Sequence, residues 1–183
     1  MIAHAAMMNP VTFTSPASQT ITLRPAATRA DVDRVVLLGN QIHQDHQEHP
    51  DVFHSRFTLF PQGLWLAERE DGVLLGYAVS HPLALHASVP LDTVLTGPLA
   101  RDVLYIHDVA TDPAARGLGL GKKLLERLIA VAQAEGISQL ALTALDGLAP
   151  YWARFGFVET DVPALRVKLA SYGSGAAYML RAL

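Results

Sequence analysis

Apolar residues along this chain follow two periods, and the switches between them mark its elements. Ile21-Thr22-Leu23-Arg24 alternates and predicts an opening strand. Thr28 can cap the helix after it, predicted to about His46 on the stripe Val32, Val35, Val36, Leu38 and Ile42. Gly39 interrupts that stripe at about 1 kcal/mol relative to alanine, and lets another backbone pack closely. Leu64 to Arg69 and Val73 to Ser80 are apolar-rich runs joined by Glu70-Asp71-Gly72, which predicts an antiparallel hairpin ending at His81-Pro82. The connection from Leu83 to Asp102 carries Pro90, Gly97 and Pro98, and loops of that length are usually functional or mobile. Val103 to Thr111 is rich in β-branched and aromatic residues and reads as a strand stopped by Asp112-Pro113. Leu120, Leu124, Leu125, Leu128, Ile129 and Ala132 then recur at helical spacing up to Gly136. Gln139 to Ala144 alternates as a further strand. Phe157 to Glu159 and Ala176 to Arg181 are the expected closing strands, with a turn at Tyr172 to Gly175. Residues 1–19 show no sustained period and are expected to form a flexible tail ahead of a single domain over residues 20–183.

The densest glycine cluster lies between the Val103–Thr111 strand and the helix that follows. Gly117, Gly119 and Gly121 lack Cβ atoms where helix-start amides and the helix dipole favour an anion, so the segment predicts a phosphate cradle. Spacing separates three kinds of cradle. A Walker loop needs glycine where Arg116 stands and Ser or Thr where Lys123 stands; a dinucleotide fingerprint needs two residues, not Leu120 alone, between its last two glycines. Arg116, Gly119 and Gly121 instead fit the pattern Gln/Arg-x-x-Gly-x-Gly/Ala. That pattern resembles the acyl-CoA pyrophosphate loop of the GNAT superfamily of N-acyltransferases. Leu148-Ala149-Pro150-Tyr151-Trp152-Ala153-Arg154-Phe155-Gly156-Phe157 resembles the second signature of the same superfamily, a short helix ending in Gly-Phe.

The resemblance implies an α/β (α+β) fold, with a mixed, mostly antiparallel central sheet, a splayed central strand and flanking helices. It also implies transfer of an acetyl group from acetyl-CoA, as co-substrate, to a primary amine in a ternary complex. Val109, Ala110 and Thr111 would pair with the pantetheine arm, the Val109 amide would face the thioester carbonyl, and Arg116, Gly117, Leu118, Gly119, Leu120, Gly121 and Lys122 would hold the phosphates. Strict alternation places Tyr105, His107 and Val109 on one face, and Ile106, Asp108 and Ala110 on the other. His107 occupies a place where such enzymes sometimes carry a catalytic histidine. A core histidine is its other reading, and the residues alone leave both open. Tyr105 can replace or assist it, and Asp108 reads as a structural tether. Many relatives carry a tyrosine, the acid for the leaving thiolate, where this chain has Trp152. Tyr151 is adjacent but projects about 100° away on a helix. Asp146 is the nearest match to an asparagine that relatives carry before this helix.

Composition narrows the alternatives. The chain has 183 residues, 50% of them hydrophobic and 17% charged, with a formal charge of -3. That balance is globular and offers no basic footprint for nucleic acid, while an acidic surface attracts amines. Absence of cysteine removes disulfides, thiolate metal sites and a cysteine-linked acyl intermediate. No apolar run approaches the roughly 20 residues of a membrane span, and residues 1–10 lack the pattern of a signal peptide, so a cytoplasmic enzyme is expected. His43, His46, His49 and His54, with Asp45, Glu48 and Asp51 among them, suggest either a metal site or a helical flap beside the acceptor; no metal is expected. A non-catalytic acyl-CoA-binding or sensing module is the alternative to catalysis. The acceptor is not legible. Its specificity is expected within His43 to Gln62 and Leu83 to Arg101, and the resemblance allows a homodimer.

Overall fold

The computed structural model describes residues 8–15, 19–145 and 147–183. Its strands are β1 (Val11–Thr14), β2 (Thr20–Pro25), β3 (Leu64–Arg69), β4 (Leu74–Leu83), β5 (Val103–Thr111), β6 (Gln139–Ala144), β7 (Val158–Glu159) and β8 (Ala177–Ala182). The helices are α1 (Arg29–Ile42), α2 (Pro50–Leu59), α3 (Leu120–Ala134), α4 (Ala149–Ala153) and α5 (Arg166–Ser171). The strands form one sheet in the order β1-β2-β3-β4-β5-β6-β8-β7. Neighbours pair antiparallel except β5 and β6, which are parallel.

Helix α3 covers one face of this sheet, where Leu120, Leu124, Leu125 and Leu128 pack on Trp65, Ala78, Leu104, Ile106 and Leu142. On the other face α1 and α2 contribute Val32, Val35, Val52 and Phe53, packed against Leu64, Leu66, Tyr77 and Val79. A third cluster on β5, β6 and β8 holds Val103, Tyr105, Ala141 and Tyr178 with Val162 and Leu165. Both sheet faces are thus covered, which accounts for the nearly continuous apolar runs in β3 and β4.

Four elements differ from the sequence expectation, α1 in two respects. Val11–Thr14, inside the expected tail, pair with β2 as an edge strand, while residues 1–7 and 16–18 lie outside the described residues. Helix α1 ends at Ile42, where the His43 amide bonds back to the Gly39 carbonyl. The Gly39 gap admits a side chain, not a backbone: a Cβ there would stand 2.6 Å from the Tyr77 hydroxyl. Strand β4 continues through His81 and Pro82 to Leu83, since beyond Val79 it has no β3 partner and a one-sided strand tolerates proline. Helix α5 buries no residue and so carries no apolar stripe to read.

The start of α1 is tied to the sheet by charge. Thr28 and Asp31 form a capping box, and Arg24 on β2 bridges Asp31 and Glu68. The Arg24 hydrogen bond, against the opposing cost of burial, holds the Asp31 carboxyl far below the usual carboxylate range. A carboxyl depressed on folding contributes stability above its unfolded pKa of about 3.9, and loses it as pH falls toward the folded value. Asp31→Asn should therefore lower the urea midpoint at pH 7, with the gap to wild type narrowing progressively as pH falls below about 4. A gap independent of pH would show that the carboxylate charge contributes nothing.

Candidate functional site

Strands β5 and β6 pair only through Leu104, Tyr105 and Ile106 against Leu140, Ala141 and Leu142. Beyond Ile106 the β6-facing edge of β5 has no partner strand, although β5 runs on to Thr111 and β6 to Ala144. The strands have splayed. A cavity of about 140 Å³ occupies the opening, lined by Ile106 to Val109 of β5 and Leu142 to Leu145 at the end of β6. His43, His46, Glu48, Leu91 and Leu148 close it from the flanking segments, and Trp152 forms part of its wall.

A bulge sets what faces this cleft. Val79 pairs with Asp108 and Ser80 with Ile106, so His107 is an extra residue without a β4 partner. Strict alternation therefore fails at His107. Val109 packs toward α3 with Ile106, on the face opposite Tyr105, and His107 projects toward α2, its ring 6.0 Å from that of Phe53.

Two histidine–carboxylate pairs result. His107 Nε2 lies 2.8 Å from Glu48 Oε2, both side chains being under a tenth exposed. Glu48 is itself held, because its Oε1 accepts the Asp92 amide. Burial alone would raise the Glu48 pKa, but the hydrogen bond and charge of His107 outweigh it and keep the carboxyl below its ordinary value. His43 Nε2 lies 3.2 Å from Asp108 Oδ1, and Asp108 also accepts a short hydrogen bond from the Tyr77 hydroxyl. Burial opposes ionisation there too, and His43 with Tyr77 prevails to keep Asp108 ionised. Asp108 thus tethers the end of α1 to β5. Of the other histidines in the segment, His46 lines the same cavity, whereas His54 pairs with Asp33 and His49 caps α2. Among the described residues no group of three His, Asp or Glu side chains is arranged to hold a metal.

At the far end of β5 the chain turns into α3. Gly117 and Gly119 have φ of +84° and +71°, and a Cβ at either would meet nothing within 4 Å. Both are left-handed and open to solvent. No side chain caps α3, so its first-turn amides stand available to an anion. Leu118 and Leu120 turn their side chains into the core, leaving backbone as the exposed surface, and Lys122 lies near Glu126. A Cβ on Gly121 would stand 2.7 Å from the Tyr151 hydroxyl. Tyr151 therefore reaches the start of α3 and is not part of the cleft wall, whereas Trp152 is. Tyr105, 3% exposed, lies behind the cleft and donates to Thr143 Oγ1 at 2.9 Å. Asp146 lies outside the described residues.

The connection between β4 and β5 runs past the cleft, which its Leu91 helps to line, and is held by side chains from several elements. Glu48 accepts the Asp92 amide, Ser55 Oγ the Leu95 amide, Tyr172 the Leu91 amide and Tyr178 the His86 amide. Arg56, 1% exposed, donates to the Thr93 carbonyl, and burial draws its pKa down to about 10 although the Glu48 charge opposes this. Sequence reasoning missed Glu48 and His43 as partners of β5, and missed Thr143 altogether. Their partners are tens of residues distant, and no local pattern announces them.

The model of the Acetyltransferase (GNAT) family matches residues 34–157. N-alpha-acetyltransferase RimI of Mycobacterium tuberculosis is 26% identical over 156 residues, 85% of this chain and 89% of that protein. Probable glucosamine 6-phosphate N-acetyltransferase 2 of rice (Oryza sativa subsp. japonica) is 40% identical over 58 residues, 32% of this chain. That match spans 35% of the rice protein, about a third of its length. Among solved structures, Ard1 from Thermoplasma volcanium superimposes with a TM-score of 0.68 at 16% identity, covering 89% of this chain and 97% of that one.

Proposed function

Because this chain belongs to the GNAT acetyltransferase family, we propose that it transfers an acetyl group from acetyl-CoA to a primary amine by direct attack within a ternary complex. The observation that carries the proposal is the splay of β5 from β6, which opens at one end onto two histidine–carboxylate pairs and adjoins the uncapped glycine turn of α3. The open backbone at Arg116 to Lys122 suits a pyrophosphate, and the unpaired edge of β5 at Val109, Ala110 and Thr111 suits the amide groups of a pantetheine arm. Tyr151, with its hydroxyl beside Gly121, belongs to the same binding surface. Acetyl-CoA brings an activated thioester to this cleft.

The protein's part is to receive a proton from the incoming ammonium and to stabilise negative charge on the thioester oxygen. We assign the first role to His107, oriented by Glu48, and the second to the amide of Val109. A backbone donor of this kind contributes on the order of 3 to 4 kcal/mol to lowering the barrier. The amine acceptor stays open between small-molecule amines and protein amines, whether N-termini or lysines. Cytoplasmic location, function without a metal and homodimer formation are further parts of this proposal.

Calorimetry with acetyl-CoA, followed by CoA release across amino acids, polyamines, amino sugars and peptide N-termini, tests it. Micromolar binding and CoA release with at least one amine are expected. A folded chain that binds no acetyl-CoA overturns the assignment, and tight binding without turnover across the panel identifies an acyl-CoA-sensing module instead.

A further inference from the structure

Neither aromatic residue of the second signature offers the departing thiolate a hydroxyl from within the cleft, since Trp152 forms the wall and the Tyr151 hydroxyl stands at Gly121. A hydrogen-bonded chain arrives from the other side. Lys168 on α5 donates to the Ser88 carbonyl at 2.5 Å and to Ser88 Oγ at 3.0 Å. Ser88 Oγ lies 2.9 Å from Thr143 Oγ1 and 3.2 Å from the Tyr105 hydroxyl, which itself donates to Thr143. An ammonium group only donates, so the proton of Ser88 Oγ points away from Lys168, toward Thr143 directly or by way of Tyr105. Thr143 is one residue past the point where β5 and β6 cease to pair, and it lines the cleft. It accepts from Tyr105, and when Ser88 Oγ donates to it as well its own O–H is left to point into the cleft. In that arrangement the donors run from Lys168 to the cleft.

Resting on the acetyl-transfer assignment above, we propose that Lys168, acting through Ser88 and Thr143, supplies the proton taken up by the departing CoA thiolate. As the carbon–sulfur bond breaks, sulfur keeps the electron pair and receives the Thr143 hydroxyl proton. The Ser88 proton replaces it, and a Lys168 proton replaces that of Ser88. Neutral Lys168 then regains its proton from solvent, while the acceptor nitrogen loses its protons to the histidine base and water. Thr143 touches the reacting sulfur; Ser88 and Lys168 act through it.

The surroundings suit a donor of moderate acidity. Among the described residues no carboxylate pairs with Lys168, and burial draws its pKa down to about 8, close to the value of about 8.5 for a thiol. Tyr105 is kept protonated by burial, with Arg56 of α2 and Tyr172 beyond α5 as the charged or titratable groups acting on it. Tyr178 of β8 is also raised by burial and accepts the His86 amide. Arg166, on the same helix as Lys168, is occupied by Asp161.

The pH profile of kcat at saturating substrates tests the chain. Wild type should lose turnover above about pH 8, as Lys168 loses its proton. Lys168→Met should lower kcat at pH 7 on the order of tenfold to a hundredfold, the low end for general acids because a thiolate is already a fair leaving group. Its alkaline fall should vanish. Lys168→Arg, which stays protonated, should keep most of the activity with the fall moved to higher pH, and Thr143→Val should match Lys168→Met. Unchanged acetyl-CoA affinity shows that the variants are folded, and Ser88→Ala replaces any that is not. A wild-type profile in Lys168→Met and Thr143→Val overturns the proton path alone; no turnover in the wild type overturns the assignment on which it rests.

Discussion

Gly119→Asp should abolish measurable acetyl-CoA binding while leaving the protein folded. Gly119 sits at φ +71°, a conformation that aspartate and asparagine tolerate better than other non-glycine residues, and both are good helix caps. A Cβ there meets nothing within 4 Å, and aspartate bears the strain of this φ better than most residues, so unfolding is not the expected outcome. What changes is the charge at the open first turn. A carboxylate about 4 Å from a phosphate, at an effective dielectric near 20, is repelled by about 4 kcal/mol, close to a thousandfold in affinity. Gly119→Asn provides the control, since it has nearly the same shape without the charge and should weaken binding by about tenfold or less. Equal losses in the two variants would mean that space, not charge, governs the turn. Wild-type affinity in a folded Gly119→Asp would remove the phosphate cradle.

His107→Gln should lower kcat on the order of a hundredfold, the expected scale for loss of a general base, with acetyl-CoA affinity nearly unchanged. Glu48 orients the imidazole from one side and leaves the ring against the cleft, so glutamine preserves a hydrogen bond to Glu48 while removing the titrating group. His107→Ala is a poorer choice because it strands a buried carboxylate, at about 1 to 3 kcal/mol or more. The competing base is His43, held by Asp108, the residue next to His107 on β5. His43→Gln should retain most of the activity. A large loss in His43→Gln with normal turnover in His107→Gln would transfer the role to the His43–Asp108 pair.

Periodicity made the framework legible. The stripe of α3 and the alternation of β6 are written in neighbouring residues, so their bounds were readable to within one or two positions, and the Gly-rich turn declared itself by spacing. Strand β1 is mostly exposed and owes its form to pairing with β2, which four residues cannot announce. The bulge at His107 depends on how β4 and β5 register, and it decides which of His107, Asp108 and Val109 share a face. His43 and Asp108 stand 65 residues apart, as do Glu48 and His107 at 59. A histidine-rich segment read locally resembled metal ligation; the fold sets His43, His49 and His54 beside separate carboxylates, Asp108, Asp51 and Asp33.

The connection between β4 and β5 has a property that matters for divergence. Most of the contacts that hold it are made to its own amides and carbonyls, by side chains of α2, α5, β8 and the segment containing Glu48. Its path is therefore encoded largely outside itself. Residues such as Leu85, Val94 and Leu95 can change identity without altering where the backbone runs. Under the proposed acetyl transfer, the surface this connection offers to an amine can therefore drift by substitution alone, without insertion, deletion or a change of fold.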